Sequence, residues 1–342
     1  MISRGDILSK PGHMRSLVAL AALLLTPLIV ACGSADAIQT GQAAETRGQI
    51  LFVADGNVMM WRDGDISQLT EEGVAESPTW SPAGDRFAYV QNHGDYSEIV
   101  IADRDGDPLV QLTSSDSGLA PFTEDHVFLA AWAKEPDWSP VGEELVYISD
   151  KGGLDAFSRN LFIWISEFGA GAPPYGLDAS YSISLSQEGP VYSSDGRKLA
   201  FSVRADDGAG VRHAEVWTLD LETGFFEPLV VDTDGAFDPD WSPDMQNIVY
   251  IQREGENSNV WIAPVSGDDP YRLLDVGGAV EPVWSPDGRQ IAFIRHVGVE
   301  FEVWVADVET DDDGIVTAEE PRKLFSADNI DAPSGLSWFI AN

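Results

Sequence analysis

The chain has 342 residues, with 20 Lys plus Arg against 57 Asp plus Glu, a formal net charge of −37 at neutral pH. So acidic a surface repels nucleic acid and anionic lipid head groups and attracts divalent cations or basic partners, or serves solubility in salt. Hydrophobic residues at 44% are ample for a packed core and exclude disorder over residues 49–341, and a single cysteine excludes an intrachain disulfide.

The first 48 residues stand apart from the rest of the chain. Arg4, Lys10 and Arg15 give a basic start, Met14 offers an alternative initiator, and residues 16–31 form an apolar run too short to span a bilayer comfortably. The run ends Leu28-Ile29-Val30-Ala31-Cys32-Gly33-Ser34. It resembles the bacterial lipobox, in which a branched apolar residue and two small ones precede a cysteine that is acylated. Val30 is larger than the pattern's usual residue. Residues 1–31 are read as a lipoprotein signal peptide, Cys32 as the lipidated residue and 32–48 as a flexible tether. The expected location is extracytoplasmic, with a lipid anchor in a bacterial membrane of the cell envelope. A plain signal peptide with an incidental cysteine is the alternative.

From residue 49 onward the predicted elements are short strands. Stretches 49–54, 57–61 and 66–70 precede the first of a series of aromatic positions, Trp80, Trp138, Tyr192, Trp241, Trp284 and Trp338, spaced 43 to 58 residues apart. The fullest copy reads Glu281-Pro282-Val283-Trp284-Ser285-Pro286-Asp287-Gly288, followed by Ile291-Ala292-Phe293. It predicts a strand, a tight turn made by Pro, Asp and Gly, and a second strand. Second strands follow at 86–90, 144–148, 198–203, 247–251 and 290–294. Third strands are read at 98–102, 160–165, 214–219, 259–263 and 302–306, and fourth strands at 109–113, 228–231, 271–274 and 322–325.

Four short strands per repeat at this period make an all-β, six-bladed β-propeller. The stretches before Trp80 match the second, third and fourth strands of a blade whose first strand comes from residues 335–341. The predicted domain is therefore 49–341, closed by a blade shared between the two ends, which removes the open sheet edge. The repeated Trp, Pro and Asp-Gly residues are assigned to blade packing and turns.

Candidate sites come from the loops. The long irregular stretches 114–134, 150–159, 179–188 and 204–213 all fall on the face that carries the second-to-third-strand loops and the blade-to-blade connections. Carboxylates collect where the first strands begin on that face: Glu135, Asp238 and Glu281 lie three residues before an aromatic, Glu76 and Glu188 one step earlier. With His126, Trp132 and Tyr181 from the insertions they form the candidate binding set at the channel mouth, alongside the alternative that they are only solvated carboxylates around a wet pore. On the opposite face, Glu309, Asp311, Asp313, Ile315, Thr317 and Glu320 follow the spacing of a calcium loop, with Gly314 at its sixth position and strands in place of helices. The cofactor expectation is Ca2+ at this loop, against an acidic hairpin that needs no ion. The five histidines share no motif, and no nucleophile elbow or phosphate loop is present.

The Trp-Ser-Pro-Asp-Gly units, a WD-type repeat, resemble those of the TolB-type six-bladed propellers, and more distantly the propeller domains of prolyl-oligopeptidase-like enzymes. TolB proteins carry an α/β domain before the propeller, which has no counterpart in residues 1–48. The resemblance implies the six-bladed propeller fold over residues 49–341, and the missing α/β domain separates the chain from the envelope role of TolB itself. The leading reading is a lipid-anchored, monomeric, non-enzymatic binding module with an envelope partner. A metal-assisted hydrolase or lactonase at the channel mouth, and a structural scaffold of an envelope complex, are the alternatives.

Overall fold

A computed structural model of the chain describes residues 45–151, 160–167, 175–176, 186–206 and 212–341. The repeat folds as its turn chemistry dictates. In each full copy the Ser hydroxyl donates to the Asp carboxylate two residues on, as from Ser285 to Asp287 at 2.7 Å and from Ser193 to Asp195 at 2.7 Å. The same hydroxyl accepts the backbone N–H that opens the next strand, Gln290 at 2.9 Å and Lys198 at 3.0 Å. Gly84, Gly196 and Gly288 take φ between +64° and +70°. At Gly84 and Gly196 a Cβ would also strike Phe339 or Val141 of the neighbouring blade, so the position serves both the turn and the close approach.

Six antiparallel sheets result. Blade one comprises Ala75–Trp80, Arg86–Asn92, Ser97–Asp103 and Pro108–Gln111; blade two, Ala133–Trp138, Glu144–Ser149, Phe162–Glu167 and Tyr175–Gly176. Blade three comprises Gln187–Tyr192, Lys198–Asp206, Arg212–Asp220 and Phe226–Val230; blade four, Ala236–Trp241, Asn247–Glu254, Asn257–Pro264 and Tyr271–Leu274. Blade five comprises Ala279–Trp284, Gln290–Val297, Glu300–Thr310 and Arg322–Ser326. The sixth pairs Gln49–Ala54, Asn57–Arg62 and Asp65–Gln68 with Ser337–Phe339, in the register Gln49 to Phe339, Ile50 to Trp338 and Leu51 to Ser337. The last strand thus completes the sheet begun by the first, as the sequence predicts.

Apolar side chains of the middle strands fill the seams between blades. Ile50 and Phe52 of the closing blade share one buried cluster with Ile294, Val303 and Phe325 of blade five. Val249, Ile251 and Ile262 of blade four pack with Trp284, Ile291 and Phe293 of blade five. The recurring tryptophans sit in these seams: Trp80, Trp138, Trp241 and Trp284 are all buried.

Three local expectations change. The third strand of blade two begins at Phe162, two residues later than read. Within the stretch 204–213, residues 204–206 and 212–213 are strand, because Lys198–Asp206 and Arg212–Asp220 stay in register out to the pairs Arg204–Ala214, Ala205–His213 and Asp206–Arg212. Val316–Ala318 forms an additional strand that folds back on Glu300–Thr310.

Candidate binding site at the channel mouth

Each first strand lines the central channel, and in blades one to five it carries a bulge at one place. In blade two the register jumps from Lys134–Ile148 to Asp137–Val146, so Glu135 and Pro136 oppose the single Tyr147. Proline suits the bulge because the unpaired position needs no ladder donor. The bulge forces the residue before it into the left-handed region: Ser77 at φ +45°, Glu135 at +51°, Gly189 at +57°, Asp238 at +53° and Glu281 at +50°, with Gly335 of the closing strand at +68°. Glycine fills that conformation without strain, and here does so twice. Side chains at the other four corners cost on the order of 1 kcal/mol each. Three of those four are carboxylates.

The corner carboxylates reach around the ring. Glu135 Oε2 accepts the Gly189 N–H at 2.5 Å, and Asp238 Oδ2 accepts the Glu281 N–H at 3.2 Å. Glu281 points toward Gly335, where a Cβ would lie 3.0 Å from its Oε2. All three are half-buried in the channel wall, and no cation lies within ion-pairing distance of them among the described residues. Burial pushes the Glu135 carboxyl up to about 7; the Gly189 N–H and, more weakly, the Lys134 charge work against this, while the charges of Glu188 and Asp238 add to it. Asp238 is raised by burial and by Glu188, and Glu281 by burial and by Asp238, Glu135 and Asp331.

A second tier of acids, not singled out in the sequence, lies two residues deeper. Asp137 Oδ2 accepts the Tyr192 N–H at 2.8 Å, Asp240 Oδ2 the Trp284 N–H at 2.7 Å, and Ser337 Oγ the Trp80 N–H at 2.9 Å. These side chains stitch the aromatic position of one blade to the strand before it. Burial raises Asp137 to about 6 and Asp240 to about 7. The signal was the Asp directly before Trp138 and Trp241.

The remaining predicted residues divide by partner. Glu76 lies 3.5 Å from Lys134 and accepts from Asn92 at 2.6 Å, and Glu188 pairs with Arg204 at 2.6 Å. The mouth acids one step before the corners are therefore neutralised by the protein itself, unlike Glu135, Asp238 and Glu281. Trp132 flanks this rim, with the Lys134 ammonium 5.1 Å from its ring centre. His126 does not line the channel. It sits on the short helix Glu124–Leu129 with 1% of its side chain exposed, Nδ1 2.7 Å from Ser117 Oγ and Nε2 3.2 Å from Asp95 Oδ2. The Nε2 contact lacks hydrogen-bond alignment. Ser117 Oγ is further engaged by the Leu119 N–H. The cluster pins the insertion after blade one down onto Asp95. Tyr181 and Cys32 lie outside the described residues.

The calcium-loop spacing folds as a hairpin. Glu309 pairs across from Thr317, and Asp311 Oδ1 accepts the N–H groups of Asp313 at 3.0 Å and Ile315 at 2.9 Å. Among the described residues no group of three or more His, Cys, Asp or Glu side chains is gathered closely enough to hold a metal ion.

No protein-family model and no curated protein sequence matches the chain. Solved structures do. TolB from Acinetobacter baumannii superposes with a TM-score of 0.60 at 16% identity, covering 85% of this chain and 66% of that one. A putative TolB from Agrobacterium tumefaciens gives 0.56 at 17% identity, covering 86% and 99%. In fold, this is a TolB-like propeller. The chain spans just under two thirds of the Acinetobacter protein but nearly all of the Agrobacterium one. A chain of the nidogen/laminin complex superposes with 0.59 at 9% identity, covering 86% of this propeller and 99% of that chain. At these identities the likeness concerns the fold.

Proposed function

We propose that the chain is a non-enzymatic binding module that receives a positively charged group of a protein or peptide partner at the channel mouth. The observation that carries this is the set of corner carboxylates. Glu135, Asp238 and Glu281 are held in a strained conformation that glycine would satisfy, and among the described residues no cation lies within ion-pairing distance of them, while their neighbours Glu76 and Glu188 have one. Strain and unpaired charge kept together are the mark of a site. That one structural neighbour comes from a nidogen/laminin complex fits the use of such a ring in protein assembly.

Residues 1–34 support an envelope location with Cys32 lipidated. The chain joins the ring at residues 45–48 on the side of the Ser-Pro-Asp-Gly turns. There the Trp338 indole donates to the Arg47 carbonyl at 2.8 Å and Arg322 to Thr46 at 3.1 Å.

The test is a titration of the purified propeller with a lysine-rich peptide and its acetylated form at low salt, beside pull-downs from envelope extracts. The triple substitution E135Q, D238N and E281Q abolishes both interactions if the reading is right, and unchanged binding refutes it. Labelling with radioactive palmitate, lost in C32A, tests the anchor.

A further inference from the structure

Beside the channel, the mouth face holds a cavity of about 440 Å³ where blades three, four and five meet. This is within the range of small-molecule sites. Asp238 and Glu281 line it, and so do Phe237, Phe301, Arg253 and His213.

Three of these groups are left unsatisfied by the protein. The Arg253 guanidinium, on an exposed residue at the rim of the cavity, lies 5.7 Å from the centre of the Phe237 ring and has no carboxylate within ion-pairing distance among the described residues. No hydrogen bond from a described residue reaches the Glu281 carboxyl, whereas Asp238 at least accepts the Glu281 N–H. His213 is 7% exposed; its Nε2 lies 3.0 Å from Glu215 Oε1, and its Nδ1 is buried without a partner. In the neutral tautomer that donates from Nε2 to the Glu215 carboxylate, Nδ1 is an acceptor.

An unpaired guanidinium calls for a carboxylate, preferably one it can grip with two parallel N–H bonds. Unpaired carboxyls and a bare imidazole nitrogen call for a group rich in N–H donors. An ammonium has three donors and no acceptor, and so suits them without leaving a polar atom unmatched. Phe237 and Phe301 supply apolar surface in the same cavity.

We propose that this cavity binds a small zwitterion of the amino-acid type, a free apolar amino acid or a short apolar peptide. Its ammonium is held by Asp238, Glu281 and His213, and its carboxylate by Arg253. This rests on the mouth being a binding site and names the ligand chemistry there.

The test is isothermal titration of the full chain with leucine, leucyl-leucine, N-acetyl-leucine and leucinamide. At least one of the two zwitterions binds saturably, and which of them does so tells the free amino acid from the peptide. Acetylating the amine or amidating the acid weakens binding at least tenfold. R253Q costs leucine or leucyl-leucine at least tenfold and leaves leucinamide unchanged; R253K, which keeps the charge but not the fork, falls between. An unaltered melting curve for R253K keeps the result interpretable should R253Q misfold. Absence of saturable binding by both zwitterions, or binding indifferent to R253Q and R253K, overturns the proposal. If the lysine-rich peptide still binds in a manner dependent on Glu135, Asp238 and Glu281, only this assignment falls and the mouth stands. If that dependence is missing too, the reading of the mouth falls with it.

Discussion

Replacing Glu135 by Gln is expected to stabilise the protein in alkaline solution and to leave it unchanged in acid. The wild-type carboxyl ionises near its ordinary value of 4.5 in the unfolded chain and at about 7 in the folded one. Between those limits the folded state binds more protons than the unfolded state, so stability falls as pH rises through the window and then levels off. The rise from 4.5 to about 7 corresponds to about 3 kcal/mol at the plateau. Residual contact with channel water makes about 1–3 kcal/mol the working range. Gln keeps an oxygen to accept the Gly189 N–H but carries no charge to repel Glu188 and Asp238. Urea unfolding of wild type and E135Q at pH 4, 6 and 8 measures this. The expected result is coincident curves at pH 4 and a midpoint for E135Q that moves progressively above wild type by pH 8. Equal stability at pH 8, or a variant weaker at every pH, would refute the reasoning by showing that Glu135 is not a desolvated, unpaired acid.

Three other residues give tests of the turn, the closure and the hairpin. Met245 occupies the glycine position of the blade-four turn at φ +62°, so M245G should stabilise by about 1 kcal/mol after the entropy of the freer unfolded chain is counted, a Tm rise of about 2 °C; a lower Tm would show the turn does not strain Met. Trp338 is 7% exposed and seals the closing blade, so W338A should cost about 3–5 kcal/mol in urea unfolding, and a loss under 1 kcal/mol would contradict closure by the last strand. Asp311 closes the 309–320 hairpin through its own two hydrogen bonds, so D311A should lower stability by about 1 kcal/mol equally with calcium and with a chelator. A calcium-dependent difference would restore the ion-loop reading of that sequence.

Much of the fold was legible because it is carried by local chemistry repeated in series. Ser285, Asp287 and Gly288 make the turn through bonds spanning at most five residues, and the same residues recur at Ser193, Asp195 and Gly196. Closure was legible because the stretch after residue 335 has no partner strand except the one at 49–54. The mouth carboxylates were placed by counting back from each aromatic. What counting could not show is which of them had partners. Glu188 is neutralised by Arg204 and Glu76 by Lys134, contacts spanning 16 and 58 residues. The left-handed corners were equally hidden, since Glu135 and Glu281 are not residue types that announce a positive φ; only Gly189 and Gly335 in the same column hinted at it. The calcium spacing does not by itself separate an ion loop from a tight hairpin, because a hairpin uses the same Asp and Gly residues for its own hydrogen bonds. The partners of His126 were equally hidden, since the fold delivers Asp95 and Ser117 to it from 31 and 9 residues away.

For the mouth to act as a cation receptor, the corner carboxyls must be poorly solvated and without a cation of the protein's own. Carbon-detected NMR titration of the Glu135, Asp238 and Glu281 side chains measures that directly. Midpoints well above the ordinary carboxylate range, with Glu135 at about 7, falling when a cationic ligand is added, are the expected result. Three midpoints near 4, unmoved by ligand, would contradict it.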